Sequence, residues 1–151
     1  MIQETTRDAV WEFGGPIDRA DVNRLLLRCR RFMERLSSRD CSPFLIVVRE
    51  LLMNAIIHGN RDRRDLEVKC RIEHLGQDTF RVTVEDQGEG FNYGSVDMDV
   101  HGDPRQLVNR GYVLIKRLAD EIRFNEEGNR VAVLVRLQKG MAGAPSSIPA
   151  R

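Results

Sequence analysis

This chain has almost no net charge: 24 basic residues stand against 23 acidic ones, leaving +1. So weak a field draws in neither a nucleic-acid backbone nor an anionic membrane surface. Cysteine is scarce and odd in number. Cys29, Cys41 and Cys70 are scattered, which excludes a metal-ligand pair and a disulfide framework. They read as small buried hydrophobes in a reducing cytoplasm. No secretory segment opens the chain, because Gln3, Glu4, Arg7 and Asp8 interrupt it. The longest apolar run, residues 43–57, is too short and too interrupted to span a bilayer. There is no internal repeat. What remains is an ordinary composition, 41% hydrophobic and 31% charged over 151 residues, which suits one domain with a real core.

The most informative stretch is residues 43–58. It is apolar on nearly every side, through Phe44, Leu45, Val47, Val48, Leu51, Leu52, Ala55 and Ile56. A helix apolar all round is a buried helix. Glu50, Asn54 and His58 break the pattern at steps of four, so they stack on one face. A buried polar group without a partner costs about 1–3 kcal/mol. The stripe therefore lines a wet or ligand-filled crevice, or faces water at the domain edge; spacing alone leaves both open. Ser42 as N-cap and Pro43 at the first helical position start this helix, and Gly59 ends it.

Before it, residues 8–13 read as a short strand broken by Gly14-Gly15-Pro16. Residues 17–36 read as an amphipathic helix, with Val22, Leu25, Leu26, Cys29, Phe32, Met33 and Leu36 on one side. Its other side carries Arg19, Arg24, Arg28, Arg31 and Arg35. Asp18, Asp21 and Glu34 share the helix and no aromatic residues interleave, so the arginines read as a solvated face. After it come two alternating runs, Leu66/Val68/Cys70/Ile72 and Phe80/Val82/Val84, joined by Gly76-Gln77-Asp78. They predict an antiparallel hairpin with one face on a core.

The second run leads into Asp86-Gln87-Gly88-Glu89-Gly90-Phe91. Two glycines one residue apart allow positive φ and close backbone approach to a ligand. A dinucleotide fingerprint would need a third glycine and an immediate helix. A calcium loop would need oxygen ligands where Gly88 and Gly90 stand. A plain turn after a strand stays open at this point. Residues 92–109 lack periodicity, as a functional lid or a disordered loop would. Asp97, Asp99 and Asp103 within them fit no metal template and read as solvated. Gly111 opens a short helix to Leu118. Ile122 and Phe124 mark a strand, residues 125–128 a turn, and Val131, Val133, Val135 and Leu137 a final strand. Residues 140–151, rich in Gly, Ala, Ser and Pro, read as a disordered tail after a domain of residues 1–139.

The order of these parts resembles the GHKL, or Bergerat-fold, ATP-binding domains. The likeness rests on Glu50-x-x-x-Asn54-Ala-x-x-His58-Gly59, then Asp86-x-Gly88-x-Gly90-Phe91, then Arg110-Gly111-x-x-Leu114-Ile115. Within that family the chain looks most like the bacterial anti-sigma-factor serine kinases, over a core of about residues 10–137. The resemblance implies an α+β fold: a two-layer sandwich with a mixed, mostly antiparallel sheet covered on one face by about three helices. It implies ATP and Mg²⁺ as cofactors, with Asn54 as the Mg²⁺ ligand and Glu50 as general base. Asp86 would accept from the adenine amino group, with Gly88 and Gly90 against the base. Gly111 would present backbone N–H groups to phosphate. Phe91, Arg110, Leu114 and Asn129 complete the expected nucleotide contacts, and His58 supports the site as a satisfied structural histidine. Arg105 and Lys116 are further candidates for phosphate, equally readable as solvated charges. The implied partners are a sigma factor, a STAS-type antagonist and a second copy of the chain, with no direct nucleic-acid or membrane partner. Two departures bear on turnover. Asn109-Arg110-Gly111 stands where the family often has Gly-x-Gly, and Gly128-Asn129-Arg130 where it often has a threonine after glycine. They favour, as the rival expectation, a nucleotide-binding regulatory module without kinase activity.

Overall fold

The computed structural model describes residues 1–89 and 107–138, the side chains of 107–110 excepted. Gly90, Phe91, residues 92–106 of the expected lid and the tail from 140 lie outside the described residues. Six strands form one sheet: β1 (Gln3–Arg7), β2 (Val10–Gly15), β3 (Val68–His74), β4 (Thr79–Asp86), β5 (Glu121–Phe124) and β6 (Arg130–Arg136). Their order is β1-β2-β3-β4-β6-β5. Among the described residues every pairing is antiparallel, where a mixed sheet was expected. Three helices, α1 (Val22–Glu34), α2 (Ser42–Asn54) and α3 (Leu107–Leu118), complete the expected α+β fold.

The register explains the core. One row runs Trp11–Ile72–Val82–Val133–Ile122, and the next runs Phe13–Cys70–Val84–Val131–Phe124. Alternation sends these side chains to the helical face and Glu12, Arg71, Thr83 and Ala132 to the other. Against the rows sit Phe44, Val47, Val48, Leu51 and Leu52 of α2, each at most 1% exposed. Burying each such side chain contributes about 1.5–3 kcal/mol relative to leaving it exposed. Counted through Gly59, this segment has 18 residues and a mean hydropathy of 1.2, long and apolar enough to cross a membrane by composition. Here its apolar side chains are the core of the domain itself.

Local structure departs from the sequence expectation at several points. β1 was not foreseen: Gln-Glu-Thr-Thr-Arg has no apolar alternation, because all five residues are exposed. The strand expected over 8–13 runs instead from Val10 through Gly14 and Gly15, which pair with Lys69 and Val68. Asp8, at φ 51°, turns between β1 and β2. The expected helix 17–36 begins as a 3₁₀ turn capped by Asp18, whose carboxylate accepts from the Ala20 N–H at 3.0 Å. Ser42 is not the N-cap of α2. Cys41 holds that position without a side-chain capping bond, and Asp40 Oδ1 accepts from the Ser42 N–H at 3.0 Å. α3 starts at Leu107, before Gly111.

Gly59 does not end the helix in a left-handed turn. Residues Ala55–Gly59 continue α2 as one π-helical turn, closed by the Asn60 N–H on the Ala55 carbonyl at 2.8 Å. The reversal falls on Arg61 and Asp62, at φ 53° and 59°. Arg19 forks onto Asp62 from the 3₁₀ turn before α1, through Nε at 3.0 Å and a second nitrogen at 2.5 Å, bracing that turn. Single π-turns inside α-helices occur frequently at functional sites.

Candidate nucleotide site

Where α2 ends, β4 ends and α3 passes over both, the described residues enclose a cavity of about 100 Å³. Asn54, His58 and Gly59 come from the helix, Asp86 from β4, Tyr112 from α3, and Asn129 from the turn before β6. The cavity's volume is several times the roughly 10–15 Å³ that a single water needs. A larger hollow of about 470 Å³ lies by β1 and β2. It gathers none of the motif residues, and its Glu12 and Arg71 already pair at 3.2 Å.

Asp86 is fixed from three sides. Its Oδ1 accepts from the Gly88 N–H at 2.8 Å. Its backbone N–H donates to the Asn129 carbonyl at 2.9 Å, and its carbonyl accepts from Asn129 Nδ2 at 3.2 Å. Gly59 and Gly88 lie so close that neither has room for a side chain. A β-carbon on Gly59 would stand 2.2 Å from Asp86 Oδ2, and one on Gly88 would stand 2.0 Å from the Gly59 carbonyl oxygen. Neither glycine adopts positive φ. Their role is close packing, not the turn freedom that the sequence suggested. Burial pushes the Asp86 carboxyl above its ordinary range, and Glu85 adds to this while the Gly88 N–H opposes it.

Asn54 stands deeper in the same crevice. Its Nδ2 is buried and makes no well-formed hydrogen bond among the described residues, although Asn54 lies near enough to the Tyr112 hydroxyl to pull that phenol's pKa down against the burial that raises it. Gly111 of α3 lies over it: a β-carbon there would be 3.3 Å from Asn54 Nδ2 and 3.1 Å from Glu50 Oε1. Glu50 is therefore one turn along the helix from the cavity lining, beside Gly111, with Arg49 reaching it at 3.4 Å. The stripe read from the sequence thus splits. Asn54 and His58 line the cavity, and Glu50 flanks its α3 side.

The structure also separates residues that the sequence grouped. His58 is exposed at the rim and has no hydrogen bond among the described residues, so it is not a satisfied structural histidine. Burial lowers its pKa, Asp62 opposes this, and Arg19 adds to it. Leu114 is 37% exposed and stands outside the cavity lining. Gly90, Phe91, Arg105 and the side chain of Arg110 fall outside the described residues, and Lys116 is exposed.

Residues 16–135 match the family model of the histidine kinase-like ATPase domain. The chain belongs to that family. A histidine kinase domain from the Erythrobacter litoralis EL346 blue-light activated histidine kinase is similar in structure, at a TM-score of 0.49 and 22% identity. That match covers 78% of this chain and 60% of the other, so the chain spans about three-fifths of that relative's length. No curated protein matches the sequence.

For a histidine kinase-like ATPase domain, three further residues matter that the sequence reading passed over. Tyr112 is 2% exposed, lines the cavity and packs on Phe124 with ring centroids 5.5 Å apart. Burial and the nearby Asp86 raise its phenol pKa. In the sequence it was one more residue in an apolar run. Asn60, 3% exposed, donates from Nδ2 to the Glu67 carbonyl at 2.9 Å and accepts at Oδ1 from the Gln87 N–H at 2.9 Å. Gln87 answers with its own side chain, accepting from the Glu67 N–H at 2.8 Å. Together these bonds hold the Asp86–Gly88 bend against the end of α2. Only an asparagine directly behind a helix-ending glycine signalled this in the sequence.

Proposed function

We propose that this domain is an ATP- and Mg²⁺-dependent protein-serine kinase of the anti-sigma type. In this reading it sequesters a sigma factor and phosphorylates a serine on a STAS-type antagonist, in the cytoplasm and as a homodimer. The observation that carries the nucleotide part is Asn54: a buried amide nitrogen without a well-formed hydrogen bond among the described residues, in a crevice shared with Asp86 and overlain by Gly111. A buried polar group in that state points to a group that completes it. The side-chain oxygen of Asn54 is a hard donor that suits Mg²⁺. The partner-switching part is supported by the likeness of the three motifs, from Glu50 to Ile115, to the anti-sigma kinases.

When bound, Mg-ATP supplies the transferable phosphoryl group and the cation that neutralises its charge. Asn54 would hold Mg²⁺ through Oδ1. Asp86 would accept from the adenine amino group, with Tyr112 walling the base. The backbone at Gly111 would meet phosphate oxygens. Glu50 would take the proton of an attacking serine hydroxyl, which requires the hydroxyl within hydrogen-bond reach. Most of the rate would come from positioning and charge compensation.

Transfer of labelled phosphate from ATP to a cognate antagonist tests this reading. Wild type should label the antagonist, and Glu50→Ala should abolish labelling while keeping sigma-factor and nucleotide binding. A wild-type protein that binds Mg-ATP yet labels nothing would establish the rival, a nucleotide-responsive binding module. The altered Asn109-Arg110-Gly111 segment favours that rival. Thermal melts separate binding from catalysis, since a ligand at a hundred times its dissociation constant adds about 2.7 kcal/mol. Asn54→Ala and Asp86→Ala should each lose that gain.

A further inference from the structure

The arginine run of α1 faces a groove. Arg28, Arg31 and Arg35 fence a hollow of about 170 Å³ between α1 and β1, floored by Trp11 and Phe32, whose ring centroids are 6.2 Å apart. Phe32 belongs to α1 itself and Trp11 to β2, so the fold adds a second aromatic ring to the one the arginine-bearing helix carries. We propose that this groove docks an extended acidic segment of a protein partner, laid along the free edge of β1.

Three observations converge. The first is a carboxylate already seated at one end. Glu4 of β1 accepts from Trp11 Nε1 at 3.0 Å and pairs with Arg28, so the groove displays its own recognition chemistry. The second is unmatched charge. Arg24 and Arg28 are paired with Asp21 and Glu4. Arg31 and Arg35, the next positions on the same helical stripe, are exposed and have no ion pair among the described residues. The third is the edge. Among the described residues β1 pairs only with β2, and all five of its residues are exposed, so its outer edge offers backbone groups to an added strand.

The spacing of the two unpaired arginines fits. Alternate side chains of a strand step by about 6.6–6.8 Å. The rise from Arg31 to Arg35 is about 6 Å along a helix axis, whereas Arg28, already served by Glu4, stands only about 4.5 Å from Arg31. A strand with acidic residues at alternate positions would set successive carboxylates over the arginines, beyond the one Glu4 supplies. A nucleic acid would use the charges but not the backbone edge.

A fluorescein-labelled Thr-Glu-Thr-Glu-Thr-Glu peptide, followed by anisotropy with the full chain, tests this. Wild type should bind it, and Arg31→Glu/Arg35→Glu should weaken binding at least tenfold. A peptide with lysine for glutamate should ignore wild type and bind the charge-reversed protein. Proline at alternate positions of the acidic peptide should abolish binding by removing its edge donors. Both arginines are exposed, so the variant should melt as wild type does and keep its Mg-ATP response. No binding to wild type would overturn the proposal. So would retained binding of the proline peptide, or tighter binding of a single-stranded oligonucleotide of equal charge that the same reversal removes.

Discussion

Gly59 and Asp86 meet without room for a single carbon between them: a β-carbon on the glycine would stand 2.2 Å from Asp86 Oδ2. The end of α2 and the end of β4 are thereby set at one fixed separation, and the carboxylate is held in the cavity wall. Gly59→Ala must displace either the carboxylate or the helix end. Overpacking of this kind typically costs about 1–3 kcal/mol. Urea unfolding should show that loss, and the Mg-ATP melting shift should vanish with it. A variant as stable as wild type with an unchanged shift would refute the contact.

Asp86 also sets a pH dependence. Burial, the largest influence, holds its folded pKa above the ordinary 3.8. A carboxyl with a raised folded value binds its proton more tightly folded than unfolded. Its contribution to stability is complete below the ordinary value and is lost as pH rises through the folded value. Asp86→Asn removes that loss and keeps an oxygen for the Gly88 N–H. The variant should therefore melt above wild type at neutral pH, by a margin that shrinks as the medium is acidified. It should lose the response to Mg-ATP at the same time. Melts across the acid range check both, and identical profiles would contradict the burial penalty.

Much of this was legible in the residues because period and burial coincide. Val68, Cys70 and Ile72 alternate with Lys69, Arg71 and Glu73, and a sheet with one covered face demands that pattern. Asn54 stood out as a polar group at a position a packed core would not tolerate, and Asp86 through the resemblance its glycine-spaced motif carries. β1 was illegible for the opposite reason: a fully exposed edge strand carries no apolar signal. The π-helical turn was hidden because its residues satisfy the ordinary helical pattern, and only the Asn60 bond to Ala55 reveals it. Tyr112 was missed because an aromatic in an apolar run reads as core. Only the fold brings it beside Asp86.

The three thiols offer a test of the core itself. Cys29, Cys41 and Cys70 are at most 3% exposed and unpaired by disulfide. Burial is the first cause raising each thiol pKa, and Arg30, whose Nη1 lies 3.6 Å from Cys41 Sγ, opposes it at Cys41. Thiolates are the reactive form. Ellman's reagent should therefore find no fast-reacting thiol in the native protein under mildly alkaline conditions, and all three in concentrated urea without reductant. Rapid reaction of one thiol in buffer would mean that the α1–α2 layer opens readily.

Asn60 carries the sharpest stability prediction because both ends of its amide are committed. Its Nδ2 serves the Glu67 carbonyl and its Oδ1 the Gln87 N–H, each at 2.9 Å, on a side chain almost wholly buried. Asn60→Ala leaves two backbone groups without partners, and leaving such a group unmatched costs about 1–3 kcal/mol. Asn60→Asp keeps the acceptor for Gln87 but turns an oxygen toward the Glu67 carbonyl, so it rescues only part of the loss. The order of urea midpoints should be wild type, then Asn60→Asp, then Asn60→Ala, with unchanged slopes. Nucleotide affinity should fall in the same order, because the Gln87–Gly88 bend that holds Asp86 is released. If Asn60→Ala unfolds like wild type, the bend is held by Asn129 and the glycine packing alone.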